Sequence, residues 1–172
     1  MGKQYYLTLL KSIQIFEHLQ EEGPVRCQLQ DIGFQVPDHW QDRSITAFAA
    51  PLEPGQSVAP NVVVTRDKVG TGQTFRSYAD SQIVELTKRL DAFNLISRQE
   101  VAIQNLPAVS LLFSWRGQPG TFTQWQVFFP GTNDIVFSAV ATALEKDFPR
   151  YQQIFGEVFR TIQIPAVTKS SY

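Results

Sequence analysis

The 172-residue sequence predicts an α+β domain: an antiparallel sheet of about six or seven strands covered by helices. Short runs of alternating apolar and polar residues recur along the chain, bounded by Pro, Gly and Asn. One long stretch with helical spacing interrupts them, and another closes the chain. Runs of strands with a single helix between them favour antiparallel pairing, because a parallel sheet needs a crossover after nearly every strand.

In residues 4–20, Tyr6, Leu9, Leu10, Ile13, Phe16 and Leu19 recur at steps of mostly three and four, which predicts a helix ended by Glu21, Glu22, Gly23 and Pro24. This piece stands as an extension over 1–24, ahead of a domain spanning 25–165 and a tail at 166–172. A first strand is expected over 29–36, closed by Pro37, and a second over 44–50, with Ile45, Ala47 and Ala49 on one side. Val62, Val63 and Val64 mark a third strand over 61–66, since a β-branched run suits a covered strand. From 74 to 93 the period changes: Phe75, Tyr78, Ala79, Gln82, Leu86, Leu90 and Phe93 form one stripe, with Thr74 or Gln73 as the cap. Strands follow over 99–103, 108–115, 121–129 and 134–141. The closing helix carries Pro149 in its first turn, where a missing N–H does no harm, and buries Tyr151, Ile154, Phe155, Val158, Phe159 and Ile162.

Composition narrows the function. The chain is 43% hydrophobic and 18% charged, with thirteen Phe, which calls for a large packed sheet or a sticky surface. A net charge of -1 supplies no basic field for nucleic acid. Cys27 stands alone and reads as a partly buried thiol. His18 and His39 sit at no metal-ligand spacing, so no metal is expected. There is no Gly-x-Ser-x-Gly elbow and no base beside Cys27, so no catalytic residue can be named and no enzyme is expected. Gly70-Thr71-Gly72 occupies the place of a phosphate loop, but Phe75 replaces the third glycine and the segment reads as a turn. Asp38, Asp42 and Asp67 read as turn residues rather than a catalytic carboxylate pair, and no cofactor is implied. No stretch reaches the ~18 apolar residues of a membrane span. Gln14, Glu17 and His18 break the N-terminal segment, so a cytoplasmic location is expected, without membrane insertion.

The odd residues are glutamines. Gln82 lies on an apolar helical stripe, and Gln124 and Gln126 share one side of a strand with Phe122 and Phe128. Two accounts fit this pattern. The glutamines lie on the wet side of a half-exposed sheet, or they belong to a binding face where apolar contact supplies affinity and amides meet a partner's polar atoms.

From about residue 29 to 165 the chain resembles the DcrB-related domain family, whose fold is a PsbP-like α/β sandwich. The resemblance rests on Phe34-Gln35-Val36-Pro37-Asp38-His39-Trp40-Gln41-Asp42-Arg43-Ser44, on Thr65-Arg66-Asp67 after the valines, and on Phe75-x-x-Tyr78-Ala79-x-x-Gln82. It continues in Ala108 through Trp115, in Gln124-Trp125-Gln126-Val127-Phe128 and in the last helix. Without a lipoprotein signal, the chain is most similar to the Eag chaperones of type VI secretion. The resemblance implies a homodimer that holds the N-terminal transmembrane helices of a PAAR- or Rhs-type effector before export. It would place the grip on Ile45, Ala47, Gln82, Leu86, Leu90, Phe122 and Gln126, and the strand pattern adds Gln124. Ala47 is smaller than the aliphatic residue expected there, and residues 1–22 have no counterpart in the family pattern. Another protein-binding adaptor on the same fold, docking through its N-terminal helix, is the alternative.

Overall fold

The computed structural model describes residues 25–29, 32–37, 40, 43–70, 72–103, 105–132 and 134–163. The helix expected over 4–20, the tail at 166–172, and His18, Asp38, His39 and Asp42 lie outside them.

The chain divides into two compact units, Met1–Arg43 and Ser44–Tyr172. In the first, β1 (Val25–Leu29) and β2 (Ile32–Val36) pair antiparallel, with Val25 opposite Val36 and Leu29 opposite Ile32. This corrects the single strand expected over 29–36: alternation is a property of each strand and does not mark where a chain doubles back.

The second unit contains β3 (Ile45–Ala49), β4 (Asn61–Lys68), α1 (Phe75–Arg89), β5 (Asp91–Ile103), β6 (Leu106–Arg116), β7 (Thr121–Pro130), β8 (Ile135–Leu144) and α2 (Phe148–Arg160). Its strands form one antiparallel sheet of six in the order β3-β4-β8-β7-β6-β5. After β4 the chain crosses one face through α1 to the far edge, then returns as a meander from β5 to β8, which pairs with β4.

Thr74 caps α1 in a reciprocal box: Ser77 N–H donates to Thr74 Oγ1 at 3.1 Å and Thr74 N–H to Ser77 Oγ at 3.1 Å. The helix stops at Arg89 rather than 93, because Leu90 adopts extended backbone and Ala92, with φ of 50°, turns the chain directly into β5. Phe93 falls on the helical stripe but belongs to the strand, and its ring meets Phe113 at 5.3 Å. Helix and strand fill one apolar cluster there, so a single spacing covers both. β5 therefore starts at Asp91, not 99; register shifts between Asp91 and Asn94 and between Leu95 and Ser97 break its alternation.

Each face of the sheet has its own core. Under α2, the side chains of Ala139, Ala141 and Ala143 are fully buried and small, so Phe148, Tyr151, Phe155 and Phe159 of the helix supply the bulk, with Val127 and Phe129 from β7. Under α1, Ala79 packs on Val109, Leu111, Phe113 and Phe128, with Ile83, Leu86 and Leu90 at the margin.

Candidate functional site

Directly paired residues of neighbouring strands share a face, so the pairing register defines the surface on the α1 side. From the outer edge inward, Ala47 pairs with Val63, Val63 with Val140, Val140 with Gln126, and Gln126 with Leu111. A flanking row runs Ile45, Thr65, Ser138 and Phe128, and another runs Ala49, Asn61, Thr142 and Gln124. None of these side chains is charged. Asp67, at the end of β4 on the same face, accepts a hydrogen bond from Tyr78 Oη at 2.9 Å.

Among the described residues, helix α1 packs mainly over β5, β6 and β7, and the exposure of this face rises outward from β8 through β4 to β3. Tyr78 touches Phe128 edge-on at 5.9 Å, and Ala79 is completely buried. Beyond the helix, Val63, Thr65, Val140 and Thr142 are half-buried, Ala47 and Ala49 are exposed, and Ile45 is 40% exposed. An isoleucine with that much surface on a sheet edge marks where the covered core gives way to an apolar strip.

Two amides stand in this floor, and their surroundings differ. Gln126 is buried and donates from Nε2 to Ser138 Oγ at 2.8 Å. Gln124 donates from Nε2 to Thr142 Oγ1 at 2.8 Å and accepts from Trp115 Nε1 at 3.0 Å. Satisfied amides are what make polar groups tolerable in such a place.

The structure places Ile45, Ala47, Phe122, Gln124 and Gln126 on one face of the sheet, and Leu86 and Leu90 in the cluster that α1 makes with that face. Gln82 is half-buried four residues before Leu86, hence on the same flank of α1. Phe122 is 1% exposed, with the Trp115 ring stacked on it at 4.8 Å, so on this face it backs the indole rather than reaching the surface. Ser138, Val140, Thr142 and Trp115 escaped the sequence reading. Their signal is visible in hindsight: Ser138 and Thr142 are hydroxyls on one side of an otherwise Ala- and Val-rich strand, the side that faces the glutamines.

Among the described residues, no three of His, Cys, Asp and Glu gather in a group that could hold a metal, and no helix is long and apolar enough to cross a membrane.

The fold is the α+β sandwich of PsbP-like proteins: the structure superimposes on a cyanobacterial PsbP from Synechocystis with a TM-score of 0.50, at 8% identity over 90% of this chain and 99% of that one. A Pseudomonas aeruginosa protein of unknown function superimposes with a TM-score of 0.73, at 24% identity over 85% of this chain and all of that one. The family model described as DcrB matches residues 32–153, and the chain belongs to the DcrB family. A Pseudomonas aeruginosa relative described as effector EagT6 is 26% identical over 143 residues, covering 83% of this chain and 97% of the relative.

Proposed function

We infer that this protein is a non-enzymatic chaperone or adaptor that shields the hydrophobic N-terminal transmembrane helices of a type VI secretion effector, of PAAR or Rhs type, in the cytoplasm before export. The observation that carries the reading is the open, uncharged strip beside α1, built from Ile45, Ala47, Val63, Val140 and the amide of Gln126. The similarity to the relative described as effector EagT6 supports a role with secretion effectors in general. The resemblance to Eag chaperones supports a homodimer as the working form.

The physical fit is direct. Three strands about 4.8 Å apart make an open strip roughly 10 Å wide, close to the ~10–12 Å diameter of one helix. A segment of ~20 apolar residues aggregates in water unless another apolar surface covers it. Helices built for membranes pack through small residues and spare hydroxyls, and a floor of Ala, Val, Ser, Thr and Gln matches both needs. No nucleotide enters this scheme, because burial of apolar surface supplies the binding energy.

The test is co-expression with the N-terminal hydrophobic segment of a type VI effector. The wild-type chain keeps that segment in the soluble fraction; Ala47→Asp, at an exposed position of the strip, loses it, whereas Gln152→Asp on the outer side of α2 does not. Equal retention by Ala47→Asp and wild type would refute this placement of the binding face.

A further inference from the structure

Trp115 is fastened from three directions. Its ring stacks on Phe122 with centroids 4.8 Å apart and planes at 19°, its Nε1–H donates to Gln124 Oε1 at 3.0 Å, and its flank lies so close to Gly117 that a Cβ there would come within 2.7 Å of the indole. Gln124 in turn donates to Thr142 Oγ1 at 2.8 Å, so one polar strap runs across β6, β7 and β8. The indole is half-buried and packs against the cluster that holds Leu86 and Leu90 of α1, which puts it where the open strip meets the helix.

We propose that Trp115 forms the end wall of the client groove and that Gln124 is a positioning residue, holding the indole rather than touching the client. The carbonyl oxygen of Gln124 is taken by the indole and an amide hydrogen by Thr142. Gln126 differs: among the described residues its one hydrogen bond runs from Nε2 to Ser138, which leaves its carbonyl oxygen for a donor on the client. The two glutamines, two residues apart on one strand, thus have separate tasks. A rigid indole offers a large apolar contact at small entropic cost, and it suits a helix flank of small aliphatic side chains. The wall role rests on the chaperone reading above; the strap does not.

The experiment follows the indole N–H resonances of the full chain, where Trp115 is one of three tryptophans and is assigned with Trp115→Phe. The probe for capture is a soluble carrier protein fused to a ~20-residue helix of Leu, Ala and Ser. In Gln124→Leu, solvent exchange of the Trp115 N–H speeds up about fivefold, the worth of one neutral hydrogen bond, and capture weakens by a similar factor. Thr142→Val, which cuts the other end of the strap, moves both readouts the same way, and Gln124→Glu, which keeps an acceptor for the indole, restores indole protection. Unchanged indole exchange in Gln124→Leu overturns the strap. Faster exchange with undiminished capture overturns the wall. If the wild-type chain captures no probe, the chaperone reading fails and takes the wall with it, while the exchange data still judge the strap.

Discussion

Replacing Ser138 by alanine tests whether the amide in the groove floor is as dependent on its partner as the geometry requires. Gln126 is 9% exposed and Ser138 8%, and a 2.8 Å hydrogen bond joins Gln126 Nε2 to Ser138 Oγ. Ser138→Ala removes the acceptor and strands a buried amide N–H, at a cost of about 1–3 kcal/mol. In a domain of this size each kcal/mol lowers Tm by roughly 2–4 °C, so the variant melts several degrees below wild type. Gln126→Leu leaves Ser138 Oγ one donor short but strands no N–H and leaves the serine's own O–H free to donate as before, so it costs less. The double variant, with neither polar group left, recovers to within about 1 kcal/mol of wild type because nothing remains unpaired. On the chaperone reading, capture of an apolar helix separates from stability in this series: the double variant regains its melting temperature but loses the client contact proposed for Gln126. Thermal and urea melts of the four proteins give the coupling energy. A double variant as unstable as Ser138→Ala alone would refute the reasoning.

Other expectations follow from equally local geometry. Gly117→Ala places a methyl 2.7 Å from Trp115 Cζ3 and 2.9 Å from Phe122 Cε2, so it forces the stacked rings apart at about 1–3 kcal/mol; an unaltered near-ultraviolet circular dichroism spectrum would show that the rings do not move. Phe155, 3% exposed and flanked by Phe148 and Tyr151 at 5.8 and 6.1 Å, anchors α2, and Phe155→Ala costs about 3–5 kcal/mol in urea unfolding; a loss below about 1 kcal/mol would mean that the sheet holds without this helix. Glu85, on the C-terminal half of α1, is held below its ordinary pKa of 4.5, first by the hydrogen bond from Lys88 and then by the charges of Lys88 and Arg89. Because the folded value is the lower one, its stabilising contribution is present above about pH 4.5 and is lost as pH falls through the depressed value, which an NMR titration of the Glu85 carboxyl will show.

Much of this molecule is visible in its residues. Alternation in β6, β7 and β8 already sorts Val109, Leu111 and Phe113 from Leu112, and Gln124 and Gln126 from Trp125 and Val127. The aromatics of α2 and the Thr74 cap are equally plain, but Ile154 and Val158, expected in the same buried stripe, are 52% and 38% exposed, because only the aromatic side of the helix packs on the sheet. The errors fall where the signal is not local. The β1–β2 reversal carries no break in alternation, and Phe93 keeps the helical spacing of α1 while lying on β5, since both elements fill one cluster.

The sequence by itself therefore determined the sides: which residues of each strand face together, that amides sit among the apolar ones, and that two helices cover an antiparallel sheet. Only the tertiary structure decided the neighbours. The pairing of β4 with β8 carries β3 to the margin of the glutamine face, setting Ala47 and Val63 in line with Val140 and Gln126, and the approach of Trp115 and Thr142 from flanking strands commits both ends of the Gln124 amide, whereas the Gln126 amide bonds Ser138 alone among the described residues. The period of a strand is built into its own backbone, whereas strand order and side-chain partners depend on hydrogen bonds and burial between segments scores of residues apart, which no window of sequence contains.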